Sequence, residues 1–376
     1  MENIINRDFE WNWSSKKDSS PLHTLCSYMA MFPPTMPRYF IKRFSNEGDI
    51  VLDPFCGRGT TPLEACMQNR IGIGNDKNIL AYILTSAKLN ILKKEKIISR
   101  LNELSEEFDE NSIYTDNESK DIKMLFNKKT LKQLVYLKTQ LDWKNNKIDT
   151  FIAAMTLGIL HGGSEGFLSI QMPNTFSMSP NYIRTFVHEH SLKKPKREVF
   201  QLLAKKLERC YDVPKIPGKV YLGDARKLSR IGDNSIDLIV TSPPYARLIT
   251  YGKFNWIRLW FLDKTYREVD KKLFVTQSLG MYTNFMSEAI NEFKRVIKPG
   301  HKIVLIIGDV KDKNNNLINL AKLVWEKSAM PLGLNKIDEI KEDIVKKGLK
   351  VSRIWGNKRL IVIDKSDRIL ILEKPQ

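Results

Sequence analysis

Short apolar runs that end in polar turns mark the beginning of this chain. "DIVLD" (49–53) and "IGIGND" (71–76) are typical of short buried strands, because each is apolar and ends in an acid. Between them, "TTPLEACMQN" predicts a helix with a Thr cap and with Pro62 in its first turn. Strand, glycine turn, helix and strand in this order are typical of the start of a doubly wound α/β sheet.

A different pattern follows in the middle of the chain. From about 79 to 215 the spacing of apolar residues is helical, as in "LKQLVYLKTQLDW" and "FIAAMTLGILHG", and no convincing strand is present. Apolar runs return in "KVYLGDARKL", "IDLIVTSPPY" and "HKIVLIIGDV", and in the tail as "RLIVID" and "RILILEK". Before "HKIVLIIGDV", "RVIKPG" predicts a helix end with a Pro-Gly stop.

We therefore predict an α/β fold whose sheet is split in sequence by an insertion. Residues 1–90 would form an N-terminal segment and the first half of the main domain, and 216–376 the second half with C-terminal strands. Residues 91–215 would form a mainly helical insertion of more than a hundred residues. This Rossmann-like arrangement places ligands at the carboxyl ends of the strands.

Composition narrows the kind of protein. The formal net charge is +18 and the pI about 9.5, which favours a polyanionic partner such as nucleic acid over a merely lysine-rich surface. Four cysteines without a CxxC spacing favour a reducing compartment and argue against a disulfide framework or a zinc site. There is no apolar run long enough for a membrane span and no apolar core of a signal peptide, so we expect a cytoplasmic protein without a membrane partner.

A glycine turn follows the first predicted strand. Gly57 and Gly59 in "DPFCGRGTT" let the backbone approach a ligand, and Asp76 ends the next strand, where its carboxylate can accept hydrogen bonds from ribose hydroxyls. An NAD enzyme would have a third glycine where Pro62 stands, so the turn favours adenosine over a pyrophosphate. Asp224 in "GDA" is a second acid at a strand end, suited to an adenine amino group or to a turn.

The stretch "TSPPY" follows a third predicted strand. Pro243 and Pro244 fix φ and remove two N–H donors, which leaves a rigid loop with carbonyl and hydroxyl acceptors. Ser242 supplies the hydroxyl and Tyr245 a flat ring that can stack on a base. Such a loop suits a planar substrate with an exocyclic amino group.

With both loops in one chain, the sequence resembles the amino-group DNA methyltransferases that use S-adenosylmethionine, in particular their cytosine-N4 branch. "DPFCGRGTT", "GIGNDKN" and "TSPPY" are similar to the cofactor loop, second strand and catalytic loop of that family. "SYMAMFPP" is similar to the segment that contacts the methionine end, and "RVIKPGHKIVLIIGD" to a later helix and strand. The resemblance covers roughly residues 20–90 and 218–310.

The resemblance implies a role for each matching residue. Asp76 would hold the ribose, and Asp224 with Ala225 the adenine. Ser242 and Pro243 would hold the target amine beside Pro244. Tyr245 would stack on the flipped base. The cofactor loop would contribute Asp53, Phe55, Gly57, Gly59 and Thr60. The chain departs from the family at Asn75, where an apolar residue is usual, and at Arg58, which replaces a small residue and could crowd the site.

The expected reaction is direct methyl transfer to cytosine N4 in double-stranded DNA, without a metal or a covalent intermediate, in restriction–modification with a possible cognate endonuclease. Ring-carbon methylation is disfavoured, because none of the cysteines lies in 236–250. The helical insertion, especially about 160–210, is expected either to read the DNA sequence or to form a helical lid that contacts only phosphate. From their spacing, Trp256 and Trp260 are expected to be packing residues.

Three alternatives stay open. Adenine N6 is the other target of such loops, and only the serine of "TSPPY" favours cytosine. An RNA base methyltransferase would share the loops, but usually carries an RNA-binding domain before the cofactor loop, where this chain has 47 residues. A catalytically silent regulator that binds the cofactor or DNA would be expected to lose the serine or a proline, and all three are present. The oligomeric state and the recognition sequence cannot be read from the chain.

Overall fold

A computed structural model describes residues 19–28, 32–172, 177–244, 251–311, 314, 316–343 and 366–376. Two predictions lie outside these ranges, the role of Tyr245 and the strand expected for "RLIVID".

A seven-stranded sheet forms the centre of the molecule, with the strand order β3-β2-β1-β4-β5-β9-β8. Neighbours from β3 to β5 are parallel, and β9 is antiparallel to both β5 and β8. The strands are β1 Ile50–Asp53, β2 Ile71–Asp76, β3 Lys219–Leu222, β4 Ile236–Thr241, β5 Ile297–Gly308, β8 Asn335–Asp343 and β9 Ser366–Glu373, with a small separate pair of β6 Val310–Lys311 and β7 Leu317–Ile318. The predicted α/β fold is confirmed, and the strand order reverses between β1 and β4, where such sheets bind ligands.

Helices cover both faces of the sheet and form most of its connections. They are α1 Thr35–Phe44, α2 Thr60–Met67, α3 Ile79–Leu89, α4 Lys94–Glu106, α5 Lys120–Leu125, α6 Lys128–Gln140, α7 Lys147–Ile159, α8 Pro180–Glu189, α9 Val199–Cys210, α10 Trp256–Phe261, α11 Tyr266–Lys272, α12 Leu279–Val296 and α13 Leu320–Val324. Between β2 and β3 the part of the chain that the structure describes contains helices α3 to α9 and no strand. None of the described helices is long and apolar enough to cross a bilayer.

Alternating residues of the strands separate two cores. Leu52, Ile239 and Ile303 face the cluster built on α12 and α13, whereas Val51 and Leu238 face α1 on the other side. Successive side chains of a strand point to opposite faces, so strands buried on both sides read as continuous apolar runs. This explains why "DIVLD" and "IDLIV" lack polar alternation.

A third core lies among the helices between β2 and β3, including α3, and it also contains residues of α2 and α10. Trp256 and Trp260 of α10 pack against it, and their indole N–H groups donate to the carbonyl of Met178 at 2.8 Å and to Glu118 at 2.7 Å. The prediction that these tryptophans are packing residues is therefore confirmed.

One local prediction is wrong and another is confirmed only in part. Helix α2 has no Thr side-chain cap, because its N-cap is Gly59, whose left-handed backbone (φ +78°) turns the chain into the helix. The helix end predicted in "RVIKPG" is confirmed, since α12 ends at Val296, but β5 begins at Ile297, so "KPG" lies within a strand and is not a separating stop. Gly300 has φ +75° there, a conformation that glycine adopts without strain.

Candidate active site

A cavity of about 360 Å³ opens where the loops after β1, β2, β3 and β4 meet. That volume is within the usual range for small-molecule sites. Nine of the predicted site residues line it, namely Phe55, Gly57, Thr60, Asp76, Asp224, Ala225, Ser242, Pro243 and Pro244. The two loops that the sequence pairs therefore face one space. Asp53 and Gly59 are not among the lining residues.

Two glycines shape the loop after β1. Gly57 and Gly59 have φ +50° and +78°, which residues with a Cβ rarely adopt. A Cβ on Gly59 would also lie 2.7 Å from the hydroxyl of Thr85 on α3. Because Gly59 has no side chain, the loop packs closely on α3 at this residue. Gly57, in contrast, lines the cavity.

Asp76 closes this loop from the end of β2. Its carboxylate accepts hydrogen bonds from the backbone N–H of Gly57 at 2.9 Å and of Asn78 at 2.8 Å. Burial raises the pKa of Asp76 to about 6, against these hydrogen bonds. The remaining acceptor capacity of the carboxylate is available to a ligand in the cavity, which Asp76 lines.

Asp224, the second predicted acid, is held by two cations. Lys77 donates to it at 2.7 Å, and Arg226 donates through Nε at 3.0 Å and through a terminal nitrogen at 2.9 Å. Burial opposes its ionisation, but the hydrogen bonds from Arg226 and Lys77 outweigh burial and hold the pKa of Asp224 well below its usual value. A ligand at this wall meets an ionised carboxylate together with Lys77 and Arg226.

The two departures from the family pattern have structural explanations. Asn75 donates through its amide to the carbonyls of Pro54 at 3.2 Å and Gly223 at 3.1 Å, which ties the loops after β1 and β3 together. An apolar residue could not form these bonds. Arg58 lines the cavity, but its buried guanidinium donates to the carbonyl of His23 at 2.6 Å, which anchors the end of the side chain to the N-terminal segment.

Residues before α1 complete one wall. Tyr28 and Phe32 line the cavity, as the resemblance of "SYMAMFPP" leads one to expect. The hydroxyl of Tyr28 accepts a hydrogen bond from the Asn78 amide at 3.0 Å, and its ring stacks on Tyr251 at 6.0 Å.

Buried Glu64 of α2 fixes this segment in place. It accepts hydrogen bonds from His23 at 2.7 Å and from Arg38 at 2.7 Å. Burial lowers the pKa of His23 to about 4, so its ring is neutral at physiological pH. One carboxylate of the helix behind the cofactor loop thus connects the N-terminal segment and α1.

One wall was not predicted. Lys271, Lys272, Leu273 and Phe274 line the cavity from the end of α11, and Phe285 lines it from α12. Phe274 and Phe285 stack with ring centroids 4.0 Å apart, and Phe285 contacts Phe55 at 5.9 Å. These residues form no motif, and the helical spacing of Phe285 is also that of an ordinary core residue.

Part of the chain is similar to known DNA methyltransferases. A family model described as DNA methylase matches residues 4–86, the stretch that contains the N-terminal segment, the glycine turn and Asp76. This match and the curated relatives connect the chain to DNA methyltransferases, without separating the cytosine-N4 from the adenine-N6 branch.

Individual relatives are Type II methyltransferases. M.MjaII of Methanocaldococcus jannaschii is 37% identical over 102 residues, which cover 26% of this chain and 19% of that protein. M.BsoBI of Geobacillus stearothermophilus is 25% identical over 295 residues, which cover 69% of this chain and 55% of that protein. The match thus spans less than two thirds of the length of each relative.

Among solved structures, a SAM-dependent methyltransferase from Methanosarcina mazei aligns over 89% of this chain and 97% of its own, with 11% identity and a TM-score of 0.34. TrmN from Thermus thermophilus aligns over 94% and 52%, with 12% identity and a TM-score of 0.36.

Proposed function

We propose that this protein is an S-adenosylmethionine-dependent DNA methyltransferase that modifies an exocyclic amine, with cytosine N4 as the target and adenine N6 as the alternative. The observation that carries the proposal is the single cavity lined by both the glycine turn and Ser242–Pro244. The match of residues 4–86 to a DNA methylase family supports it.

The first wall of the cavity, which is formed by the glycine turn and the acids at the strand ends, fits the cofactor. Backbone without side chains at Gly57, the carboxylate of Asp76 and the Phe55 ring offer a close approach, an acceptor for ribose hydroxyls and an apolar surface. Thr60, Asp224 and Ala225 would complete the contacts. The cofactor supplies an electrophilic methyl group, and the protein supplies position.

The second wall of the cavity, which is formed by Ser242–Pro244, fits an amine. The hydroxyl of Ser242 and the carbonyl of Pro243 are acceptors for the two hydrogens of an exocyclic NH₂ group. Holding these hydrogens directs the nitrogen lone pair toward the cofactor wall. Tyr245, beyond the described residues, would stack on the base.

A cysteine does line the cavity, and its environment argues against ring-carbon methylation. That chemistry needs a thiolate nucleophile. Burial, with Asp76 and Asp53 nearby, raises the pKa of the Cys56 thiol well above its usual value, so the group stays protonated. Cys56 also contacts the Thr85 hydroxyl at 3.5 Å. Direct transfer to an amine requires no such nucleophile.

DNA is the proposed partner. The net charge of +18 supplies affinity for phosphate, and a target amine within a duplex must be flipped out at a cost of a few kcal/mol. Residues 160–210 are the proposed readout region, and two of them, Ser177 and Met178, lie against the chain that follows the catalytic loop. The Ser177 N–H donates to the carbonyl of Phe254 at 2.9 Å, and Trp256 donates to Met178. Restriction–modification, with a cognate endonuclease, is proposed because the relatives are named Type II methyltransferases.

Incubation with methyl-labelled S-adenosylmethionine and plasmid DNA, followed by nucleoside analysis, tests the proposal. We expect labelled N4-methylcytosine. N6-methyladenine would retain the class and refute the choice of base. Label in RNA alone, or no label with a cofactor-binding protein, would refute the DNA methyltransferase.

A further inference from the structure

The last residues of β1 and β4 share a buried hydrogen bond. The hydroxyl of Thr241 donates to Oδ1 of Asp53 at 2.5 Å, and the two side chains are 0% and 1% exposed. The same oxygen accepts the backbone N–H of Phe55 at 3.1 Å. One carboxylate oxygen therefore contacts the start of the loop after β1 and the residue that precedes Ser242.

This bond continues the contact between the two strands where the backbone no longer does. The pairing of β1 with β4 joins Val51 to Leu238 and Leu52 to Ile239, and it stops there. Asp53 follows Leu52 directly, and Thr241 lies two residues after Ile239, both toward the cavity. Asp53 is not among the cavity-lining residues, whereas its neighbours Pro54 and Phe55 are.

Asp53 is costly to bury. Burial raises the pKa of Asp53 to about 7, although the Thr241 and Thr61 hydroxyls and the Phe55 N–H favour the carboxylate form. Burying a carboxylate lowers stability, so its presence calls for an explanation. The position between the two loops offers one.

We propose that Asp53 is a positioning residue. Through the Thr241 hydroxyl it holds the loop that starts with Ser242–Pro244 at the correct distance from the glycine turn. This role rests on the proposed methyl transfer, and it replaces the cofactor contact that the family resemblance implies for Asp53. Transfer between two bound groups is sensitive to their separation, and an error of about 1 Å can cost roughly 100-fold in rate.

Two substitutions of Thr241 separate positioning from packing. Thr241→Val keeps the side-chain volume and removes the hydroxyl, whereas Thr241→Ser keeps the hydroxyl and removes a buried methyl group. We expect the Val variant to lose about 10- to 100-fold in kcat, with the Kd for S-adenosylmethionine within about twofold of the parent. The Ser variant should keep kcat within about threefold of the parent although its melting temperature falls. If Thr241 only fills space, Thr241→Ser should lose more kcat than Thr241→Val.

A cycle with Asp53 completes the test. Asp53→Ala should lower kcat at least as much as Thr241→Val, because it also removes the bond to the Phe55 N–H. The double variant should be no worse than Asp53→Ala, because the Thr241 bond is already lost in it. Additive losses would overturn the proposal. So would an equal loss of cofactor affinity and turnover in Thr241→Val, since the hydroxyl would then support cofactor binding and not the position of Ser242.

Hydrogen exchange gives a readout that does not depend on activity. In peptides that contain Ser242, exchange should be faster in Thr241→Val than in the parent and unchanged in Thr241→Ser. Equal exchange in all three proteins would overturn the positioning role even if the parent methylates DNA. Faster exchange in Thr241→Val, together with a parent that lacks methyltransferase activity, would support the link between the loops and refute only the proposed function.

Discussion

The loops after β1 and β4 face each other across one cavity, but different bonds hold them. In the first loop the backbone N–H of Cys56 donates to the carbonyl of Asn75 at 3.0 Å, and that of Gly59 to the carbonyl of Cys56 at 2.7 Å. The second loop starts with Ser242 and two prolines, which have no N–H to donate. Among the described residues, the side-chain bond of Thr241 connects its start to the first loop.

The difference indicates a division of labour. A wall held by its own backbone is formed before a ligand arrives, so it suits binding. Ser242 and Pro243, which the structure describes at the start of the second loop, line the cavity and carry acceptors for the polar hydrogens of a substrate. Substitutions in the first wall should therefore change stability and cofactor affinity, and substitutions in the second should change turnover.

The largest effect is expected at Ser242. Ser242→Ala removes an acceptor for the target amine, and kcat should fall by about 100-fold, a typical loss for one transition-state hydrogen bond. Cofactor affinity, measured by calorimetry, should stay within about twofold. Ser235→Ala is the matched control, because that hydroxyl donates to the carbonyl of Gly232 at 2.7 Å at the other end of β4. Equal losses of cofactor affinity and turnover in Ser242→Ala would contradict the division.

Gly59 tests the first wall. Gly59→Ala places a Cβ at φ +78° and 2.7 Å from the Thr85 hydroxyl, so it combines backbone strain with a clash. We expect a loss of about 2–4 kcal/mol in the free energy of unfolding, measured by urea denaturation, together with weaker cofactor binding.

Gly48→Ala is the control for strain alone. Gly48 has φ +86°, and an added Cβ would meet nothing within 4 Å. Its cost should be about 1 kcal/mol, the usual value for a left-handed residue, without a change in cofactor affinity. If Gly59→Ala and Gly48→Ala lower the free energy of unfolding equally, the close packing of the glycine turn on α3 does not contribute to stability.

The sequence indicates the two loops because they depend on local features. Glycines with positive φ, acids at strand ends and consecutive prolines are visible in a few neighbouring residues. The third wall is not visible, since Lys271–Phe274 and Phe285 reach the cavity through the packing of α11 and α12. The amide of Asn75 binds Gly223, 148 residues away, and no local pattern indicates such a contact.

The proposed ribose contact of Asp76, at the end of β2, predicts that cofactor binding depends on pH. The pKa of Asp76 is raised to about 6, and the ribose contact needs the carboxylate form. Affinity should therefore rise with pH through about 6 and level off above 7, with binding at pH 5 about tenfold weaker than at pH 8. Titration calorimetry across this range measures it. Asp76→Asn should bind more weakly at pH 8 and lose this pH dependence, and a parent with flat affinity would contradict the ribose role.

The smallest effect is expected at the unpredicted wall, where Lys271 and Lys272 lie at the mouth of the cavity. Neither forms an ion pair within the described residues, whereas Lys77 and Arg226 are engaged by Asp224. We expect the lysines to contact phosphates that flank the target base. Lys271→Ala with Lys272→Ala should weaken DNA binding several-fold and reduce the slope of log K against log salt by about 2.

Cofactor affinity should not change in this double variant. Lys215→Ala with Lys219→Ala removes the same charge at the amino end of β3, the end of the strand away from the cavity, and should leave the salt slope nearly unchanged. If both double variants reduce the slope equally, the basic surface acts as a whole and not at the cavity mouth. If the Lys271→Ala and Lys272→Ala double variant weakens cofactor binding instead, these two lysines belong to the cofactor site and not to the DNA-binding surface.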